Sequence, residues 1–463
     1  MSTRTIVITC LVAAALAAIF VFARSAEAPS SNSDSEATRP NFVIFIADDV
    51  SWNDIQPYSD TAAKTPNILQ LANVGMRFDN MFLTTSSCTP SRGSILTGLY
   101  PSQSGSKHLH QGLEARHVTL ASMLREQGYY TAVAGKAGIG AMGARQFDIA
   151  VDDPDDSSGA ALWTDVVRGR PMDKPFFFFF ASRDPHRPFD TSGENLPPPI
   201  DPDTIEPPAP YVNRPATRKR FSEYYRELQR FDVYVGKVIE ALKQQGVMDN
   251  TIIMVMSDNG RPFMLSKLTL YNEGLRAPFI MHWPNKIPAG TSSGSLLSAI
   301  DIVPTVLEVA NINQPDYLPG QSFRSLFDAP DLEVRDHIFA ERNWHGKNAH
   351  ERAVRNTSYL YKENQYPEHG ECISSQAVNR AEIKDIKAAF DASNMPARFV
   401  DCFSEQRAPR ELYAINQNGD VDFDNLIDNP DHQEAQADLT QRLSDWRRAV
   451  SDTDYQPYAG EDR

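Results

Sequence analysis

Short apolar runs recur along the chain and predict strands that are buried on both faces. Runs of this length without polar interruptions are typical of a parallel sheet that is covered by helices on both sides. The clearest runs are 41–47 (NFVIFIA), 129–134 (YYTAVA), 175–181 (PFFFFFA) and 251–256 (TIIMVM).

The segments between these runs carry apolar residues at helical spacing. Thr65-Pro66 is a typical helix start. Residues 120–127 and the long segment 221–245 show the same periodicity. Because strands alternate with helices along the chain, we expect a doubly wound α/β fold.

Polar residues follow each of the four predicted strands directly. Ligands of open α/β sheets bind beyond the carboxyl ends of the strands, so we expect one site at this rim. A single polar pair at a strand end often only forms a turn, but four such ends together favour a shared site. The segments are Asp48-Asp49, Gly135-Lys136, 182–186 (SRDPH) and 257–260 (SDNG).

The hydrophobic pattern changes near Arg335 into short mixed segments, 336–340, 359–361 and 411–415, followed by a helical pattern over 433–450. This change predicts a catalytic domain over 40–334 and a smaller α+β domain with a short antiparallel sheet over 335–463. Residues 188–217 are rich in Pro and Asp, which indicates a long ordered loop near the site.

The N-terminus has the pattern of an export signal. Arg4 precedes an apolar run over 6–22, and Ala26-Glu27-Ala28 fits a cleavage site. We therefore predict a signal peptide over 1–28, a flexible leader over 29–39, and a periplasmic or secreted protein. The apolar run is also nearly long enough to span a bilayer, and an uncleaved signal would anchor the protein to the membrane.

Charge and cysteine content narrow the chemistry. The formal net charge of −15 argues against a nucleic-acid partner, although it allows a local anion site. Cys10 would leave with the signal, and Cys372 and Cys402 are near enough in sequence to form a disulfide in an exported protein. Cys88 then remains without a partner.

The acidic strand ends offer a set of oxygen ligands. Asp48, Asp49, Asp258 and Asn259 suit a hard cation, Ca²⁺ or Mg²⁺, better than zinc. Without a cation, several carboxylates at one rim would repel each other. The alternative for each acidic pair alone is an ordinary surface turn.

Cys88 lies where a helix is predicted to begin. Thr89-Pro90-Ser91 is typical of a helix start, and Gly98 of a helix end. Unpaired N–H groups at a helix N-terminus favour anions, so Cys88 would be a nucleophile beside an anion-binding cradle. A buried structural cysteine is the alternative reading.

The segment 88–98 (CTPSRGSILTG) resembles the signature of the type I sulfatases. The resemblance extends over about residues 40–450 and includes "FIADDVSWND", "TPNILQLANVGMRFDNMF", "DPHRPF", "SDNG" and "RELYAINQNGDVDFDNL". It is closest to the branch of heparan N-sulfatase and bacterial polysaccharide sulfatases. It implies an alkaline-phosphatase-like α/β/α sandwich with a large, mostly parallel mixed sheet.

The resemblance also implies a mechanism. A maturation enzyme converts the cysteine to formylglycine; one hydroxyl of its hydrate attacks sulfur, and the other then expels sulfate. Fixed cations and donors would stabilise the SO₃-like transition state. By the resemblance, Asp48, Asp49, Asp258 and Asn259 hold Ca²⁺ together with the modified residue 88; Arg92 orients the diol; Lys136 and Lys267 bind sulfate; and His186 protonates the leaving group.

One position departs from the family pattern. The family usually has Gly-Lys-x-His-x-Gly, and here Gly138 replaces the histidine. His108 or His110 could supply an imidazole from another loop, or line the substrate pocket. His345, Arg352 and Arg355 are candidates for binding the substrate, with a solvated basic surface as the alternative. Trp52 is a candidate for stacking on a sugar or for a core position.

The leading hypothesis is an exported sulfatase that acts on a sulfated carbohydrate. A phosphohydrolase of the alkaline-phosphatase-like superfamily is a second hypothesis, but such enzymes usually carry Ser or Thr as nucleophile and often bind zinc through histidines. A catalytically impaired sugar-binding homologue is a third, and only Gly138 supports it.

Overall fold

The computed structural model describes residues 39–190, 192–209, 211–368, 380–391 and 406–452, and the chain from Pro40 onward forms one compact unit. The predicted signal peptide and leader lie outside the described residues, and so do Cys372 and Cys402. In the described ranges, no helix combines the length and the apolar character needed to cross a membrane.

An eight-stranded sheet forms the centre of this unit. Its strand order is β4-β3-β5-β1-β6-β7-β2-β8, and β7 alone runs opposite to the other strands. This confirms the predicted mixed, mostly parallel sheet. The strands are β1 (Asn41–Ala47), β2 (Met76–Phe82), β3 (Tyr130–Gly135), β4 (Ile149–Val151), β5 (Phe176–Ala181), β6 (Thr251–Ser257), β7 (Phe279–His282) and β8 (Thr291–Ser298).

The four strands predicted from apolar runs are the neighbours β3, β5, β1 and β6 at the centre of this sheet. Both faces of these strands are covered, which explains why their sequences are continuously apolar. The other four strands were not recognised. β2 (MRFDNMF) and β8 (TSSGSLLS) interleave polar with apolar residues, and β4 and β7 are short.

Alternate residues of the central strands enter two separate cores. Phe42, Ile44 and Ile46 of β1 belong to one buried cluster, whereas Val43 and Phe45 belong to the cluster on the other face. This two-residue period is the geometry of an extended strand, and here it feeds an apolar layer on each side of the sheet. The result is the predicted α/β/α sandwich.

The helices cover the sheet and begin close to the predicted positions. The long helix begins at Pro215 rather than at residue 221, since proline is favoured in the first turn. The helices are α1 (Pro66–Val74), α2 (Cys88–Thr97), α3 (Pro101–Ser104), α4 (Leu120–Glu126), α5 (Gly140–Ala144), α6 (Trp163–Gly169), α7 (Pro215–Gln244), α8 (Asn272–Leu275), α9 (Ile302–Val309), α10 (Ala381–Asp391) and α11 (Gln433–Ala449).

A second, four-stranded antiparallel sheet lies in the C-terminal part, in the order β12-β11-β10-β9. Its apolar residues pack with Leu439, Leu443 and Trp446 of α11 in a third buried cluster. Both sheets belong to the same compact unit, and the division at 334/335 into two domains stays a prediction. The strands are β9 (Ile338–Arg342), β10 (Glu351–Arg355), β11 (Tyr359–Asn364) and β12 (Arg410–Ala414).

Candidate active site

The parallel pairing of β1 and β6 brings two acidic segments together. Ala47 lies opposite Ser257 at the ends of these strands, so the residues that follow are neighbours. The backbone N–H of Asp49 donates to Asp258 Oδ1 over 3.2 Å. Together with Asp48 and Asn259, these residues are fully buried, so the rim carries a compact, water-excluded set of oxygen atoms.

Three cationic side chains surround these three carboxylates. Arg92 Nε donates to Asp258 Oδ2 over 2.6 Å, and Lys267 Nζ donates to Asp49 Oδ1 over 2.6 Å. The ammonium group of Lys136 donates to Asp48. Arg92 comes from α2, whereas Lys136 follows β3, so separate elements balance the charge at one point.

The environment shifts the pKa values of the carboxyl groups in opposite directions. Burial raises the pKa of Asp258 to about 6, even though Arg92 opposes this. Burial also disfavours the ionised form of Asp48, but Lys136 and Arg92 outweigh it and hold the pKa of Asp48 well below its usual range. Asp48 is therefore a permanent anion.

Cys88 is the first residue of α2 and lies beside the acidic set. Its Sγ is 3.6 Å from Asp48 Oδ1 and 3.9 Å from Asp49 Oδ1. The residue is 4% exposed, and burial raises the pKa of its thiol to about 12 although Lys267 and Lys136 oppose this. Cys88 is thus a neutral thiol at pH 7, which does not suit it to act as a thiolate nucleophile.

His186 reaches the same point from the segment after β5. Its Nε2 lies 4.0 Å from Asp49 Oδ2, and its side chain is 38% exposed. Two residues earlier, Asp184 accepts hydrogen bonds from Arg230 Nη2 and Nε over 2.6 and 2.7 Å, which fixes the segment to α7. Burial lowers the pKa of His186, although Asp49 opposes this.

The buried oxygens fit a divalent cation. Asp49 Oδ2 and Asn259 Oδ1 are buried and accept no hydrogen bond. Ligand atoms of Asp48, Asp49, Cys88 and His186 all lie within 4.8 Å of one another. Since a buried acceptor without a partner is costly, the two oxygens of Asp49 and Asn259 are suited to a hard metal ion, whereas the thiol of Cys88 and the imidazole of His186 are softer ligands.

Gly138 lies against Arg92 and leaves no room for a side chain. Its φ is +67°, and a Cβ would approach Arg92 Cδ to 2.7 Å. Both the left-handed backbone and this contact exclude a histidine in the present arrangement. The packing of Arg92 therefore requires glycine at position 138, where the family usually has histidine.

A cavity of about 450 Å³ opens beside this site. Asp49, Lys267 and His186 lie in its lining, and so do His110 and His345 of the predicted substrate set. The Nδ1 atom of His345 is 2.8 Å from Ser87 Oγ, the residue before Cys88. Burial, with help from Lys267, holds the pKa of His345 well below its usual range, so this imidazole is neutral.

Sequence reasoning missed the apolar part of this cavity. Aromatic and aliphatic residues scattered over several regions of the chain are brought together here, and no local motif signals them. They are Leu109, Tyr211, Phe263, Met264, Trp344, Ile383 and Ile386.

The other predicted substrate residues lie elsewhere. Arg352 donates from Nε and Nη2 to Asp452, and both distances are 2.7 Å. His108 Nδ1 accepts from the backbone N–H of Trp344 over 3.2 Å. Arg355 donates to the carbonyl of Gly419 over 2.9 Å. None of the three lines the cavity, and their contacts favour a structural role.

Trp52 also lies away from the cavity. Its ring is covered by the guanidinium of Arg276 at 4.0 Å, in a separate cleft. This contact does not select between the two readings that the sequence left open for Trp52.

The sandwich with its mixed sheet is an alkaline-phosphatase-like fold, and the rim of buried carboxylates and cations lies where its central strands end. A family model named Sulfatase matches residues 40–312, more than half of the chain. The chain belongs to the sulfatase family and is a sulfuric ester hydrolase. A second model, N-sulphoglucosamine sulphohydrolase, C-terminal, matches residues 262–366 and places the chain near the heparan N-sulfatase-like branch.

Relatives with known names support this placement. An ulvan-active sulfatase of Formosa agariphila is 28% identical over 89% of this chain and 76% of its own length. Human N-sulphoglucosamine sulphohydrolase is 30% identical over 60% of this chain and 62% of its own length.

Solved structures share the fold. A protein in complex with its substrate D-glucosamine-2-N,6-O-disulfate has a TM-score of 0.68 at 18% identity, with 90% of this chain and 99% of that chain covered. A phosphonate monoester hydrolase from Silicibacter pomeroyi has a TM-score of 0.64 at 18% identity, with 89% and 95% covered. At these identities the likeness concerns the fold alone.

Proposed function

We propose that the protein hydrolyses sulfate groups from a sulfated carbohydrate, with Cys88 as the precursor of the nucleophile. The observation that carries this proposal is the position of Cys88. Its Sγ lies 3.6 Å from Asp48 Oδ1, inside a rim of buried carboxylates and cations, yet burial raises its thiol pKa to about 12. A thiol so placed but not ionised at pH 7 fits the precursor of the nucleophile better than the nucleophile itself.

Two groups would be supplied to this rim. Formylglycine formed at Cys88 would provide a hydrated aldehyde with a hydroxyl nucleophile and a second hydroxyl to release sulfate. A divalent cation, Ca²⁺ or Mg²⁺, held by Asp48, Asp49, Asp258 and Asn259 together with residue 88, would stabilise negative charge on the sulfate oxygens.

Other residues of this chain supply positive charge and a proton. Lys267 lines the cavity and Lys136 is partly exposed at the rim, so both are placed to attract sulfate oxygens. Arg92 is held by Asp258 and orients residue 88 from the same helix. His186 lines the cavity and is placed to donate a proton to the leaving oxygen or nitrogen.

The carbohydrate substrate is supported by the names of similar proteins. They include an ulvan-active sulfatase and a structure with bound D-glucosamine-2-N,6-O-disulfate. A cavity with charged residues at one end and apolar residues elsewhere suits a sugar, which presents hydroxyl edges and apolar C–H faces.

Sulfate release from a panel of defined sulfated mono- and oligosaccharides tests the proposal. We expect wild-type protein to release sulfate and Cys88→Ala to lose at least about 10³-fold in kcat/KM. Phosphate esters of the same sugars are the control. Faster phosphate than sulfate release, or an active Cys88→Ala variant, would contradict the proposal, and no release at all would favour an impaired sugar-binding protein.

Mass spectrometry tests the nucleophile separately. The tryptic peptide 78–92, from protein made in its native host, contains Cys88. Loss of sulfur and gain of oxygen at this residue are expected, and they would also indicate that a formylglycine-generating enzyme is a partner. An unmodified cysteine in that host would contradict the mechanism.

We also propose that the enzyme acts outside the cytoplasm. The support is the Arg4 and apolar 6–22 pattern at the N-terminus. N-terminal sequencing of the protein from its native host would show a start near residue 29, whereas retention of residues 1–28 would indicate a membrane-anchored form.

A further inference from the structure

Helix α10 contributes an apolar wall to the cavity. Ile383 and Ile386 line the cavity and are 4% and 1% exposed. They belong to the same buried cluster as Phe263 and Met264, which also line it. The helix lies between β11 and β12 in the sequence but packs on α7, which places it at the wall of the site.

Glu382 connects this wall to the segment that carries His186. Its Oε1 is 2.9 Å from Nη2 of Arg187, the residue directly after His186, and its Oε2 is 3.7 Å from Arg220 Nε. The Glu382 side chain is only 3% exposed. In a buried site such a carboxylate neutralises its partner strongly, because little water screens the pair.

Several contacts hold the guanidinium group of Arg187 beside Glu382. Its guanidinium lies 4.9 Å from the ring centre of Phe189 and 4.7 Å from that of Phe263. Its Nε donates to the carbonyl of Pro262 over 2.8 Å. The aromatic faces and the carbonyl fix the guanidinium, and Glu382 supplies its only carboxylate contact within 4 Å in the described part of the chain.

Among the described residues, the cavity therefore offers little charge for a second anion. Lys267 is paired with Asp49 at the reactive end, and Arg187 is paired with Glu382 at the wall. Arg380 also lines the cavity but is exposed, so solvent and salt screen its charge. A second sulfate or a carboxylate on the bound sugar would lose water without gaining an unpaired buried cation from the part of the chain that the structure describes.

We propose that Glu382, by masking Arg187, selects a sugar that carries one sulfate and no second anionic group on the ring bound in the cavity. The apolar wall then contacts the C–H face of this ring. The proposal rests on the proposed sulfatase function and names the substrate class of the same site.

The test compares pairs of sugars that differ by one anionic group. The first pair is N-acetyl-D-glucosamine 6-O-sulfate, whose amide is neutral, and D-glucosamine 2-N,6-O-disulfate; the same comparison is made for each sugar that is active in the panel. We expect wild-type protein to prefer the singly sulfated member in kcat/KM by about 10-fold or more. Glu382→Gln keeps the shape but unmasks Arg187, and should reduce this preference by about 5-fold or more.

Two further variants separate charge from structure. Glu223→Gln removes a carboxylate from Arg220, to which Glu223 is 2.6 Å away, but leaves the Arg187 pair intact, so the preference should be unchanged. The double variant Arg187→Gln with Glu382→Gln buries no unpaired charge and should keep the wild-type preference. A folded double variant that loses the preference would show that Glu382 does not act through Arg187 and would overturn the masking.

The outcomes distinguish the two proposals. No sulfate release by wild-type protein from any sugar would overturn the proposed function. Sulfate release with equal or better activity on disulfated sugars, or an unchanged preference in folded Glu382→Gln, would overturn only the masking by Glu382.

Discussion

At the scale of single residues, the rim combines groups that would be unfavourable alone. Asp48, Asp49 and Asp258 are fully buried, and burial by itself would neutralise such carboxyl groups. Arg92 contacts Asp258 and Asp48, Lys136 contacts Asp48 and Lys267 contacts Asp49, and these cations keep Asp48 ionised. The site is thus balanced by its own cations while two oxygens remain free for a metal ion.

Substitution of Gly138 tests the packing against Arg92. Gly138→Ala places a Cβ 2.7 Å from Arg92 Cδ and requires a left-handed backbone. We expect a loss of about 1–2 kcal/mol in the free energy of unfolding from the backbone, and about a 10²-fold loss in kcat/KM because Arg92 must move. Urea unfolding and sulfate release measure the two effects.

Gly246→Ala is the matched control for this variant. Gly246 also has a positive φ, +66°, but a Cβ at this position would point into open space, with no atom outside the adjoining backbone within 4 Å. It should show the backbone cost with unchanged activity. Equal activities of the Gly138→Ala and Gly246→Ala variants would refute the steric role of Gly138.

At the scale of elements, buried ion pairs attach α11 to the small sheet. Arg352 of β10 donates from Nε and Nη2 to Asp452, which lies just after α11, and both distances are 2.7 Å. Both side chains are at most 2% exposed. A buried ion pair contributes to the free energy of unfolding mainly because neither charge is left unpaired. Removal of one partner is therefore strongly destabilising.

Asp452→Asn should therefore destabilise the fold without changing the chemistry. We expect the free energy of unfolding to fall by about 3–5 kcal/mol, with kcat/KM unchanged in the folded protein. Asp438→Asn removes an exposed partner of Arg442 and should change the free energy of unfolding by less than about 0.5 kcal/mol. Similar unfolding midpoints for the two variants in urea would argue against this contribution.

The same pair predicts how stability depends on pH. Burial disfavours ionisation of Asp452, but hydrogen bonds from Arg352 and His350 hold its pKa well below the usual range. As the pH falls, Asp452 therefore becomes protonated in the unfolded chain before it does so in the folded protein. The stabilisation from the ionised carboxylate is complete above about pH 5 and is lost as the pH falls below about 4. The loss on acidification in urea unfolding should be smaller in Asp452→Asn than in wild-type protein.

At the scale of the whole molecule, the site depends on the sheet that assembles it. Its carboxylates come from the ends of β1 and β6, and its cations come from α2 and from the segments after β3 and β6. Elements far apart in the chain meet at one rim only in the folded state. A cation bound there should therefore stabilise the whole fold.

Removal of divalent cations tests this coupling. At a concentration 100 times its Kd, a cation that binds only the folded state adds about 2.7 kcal/mol, which corresponds to a rise in Tm of about 3 °C for a chain of this length. We expect Ca²⁺ or Mg²⁺ added after chelation to restore this rise in wild-type protein but not in Asp49→Asn. Asp438→Asn is the control, and an equal Tm with and without cations in wild-type protein would exclude a metal site.

The sequence alone predicted the four central strands of the large sheet and the polar residues that the structure brings together at its rim. The strands β1, β3, β5 and β6 are continuously apolar because both of their faces are covered, and such a pattern is local and readable. The polar residues after them converge because parallel strands end at the same edge. The segment 88–98 is likewise contiguous, so its resemblance to sulfatases required no tertiary information.

Only the tertiary structure decided which basic and apolar residues face the cavity. Arg352 and His345 lie close together in sequence, yet Arg352 pairs with Asp452 while His345 lines the cavity. Gly138 is explained only by its contact with Arg92, and Ile386 joins the wall only because α10 packs on α7. These outcomes depend on partners distant in sequence, and a local pattern of residues carries no signal for such a partner.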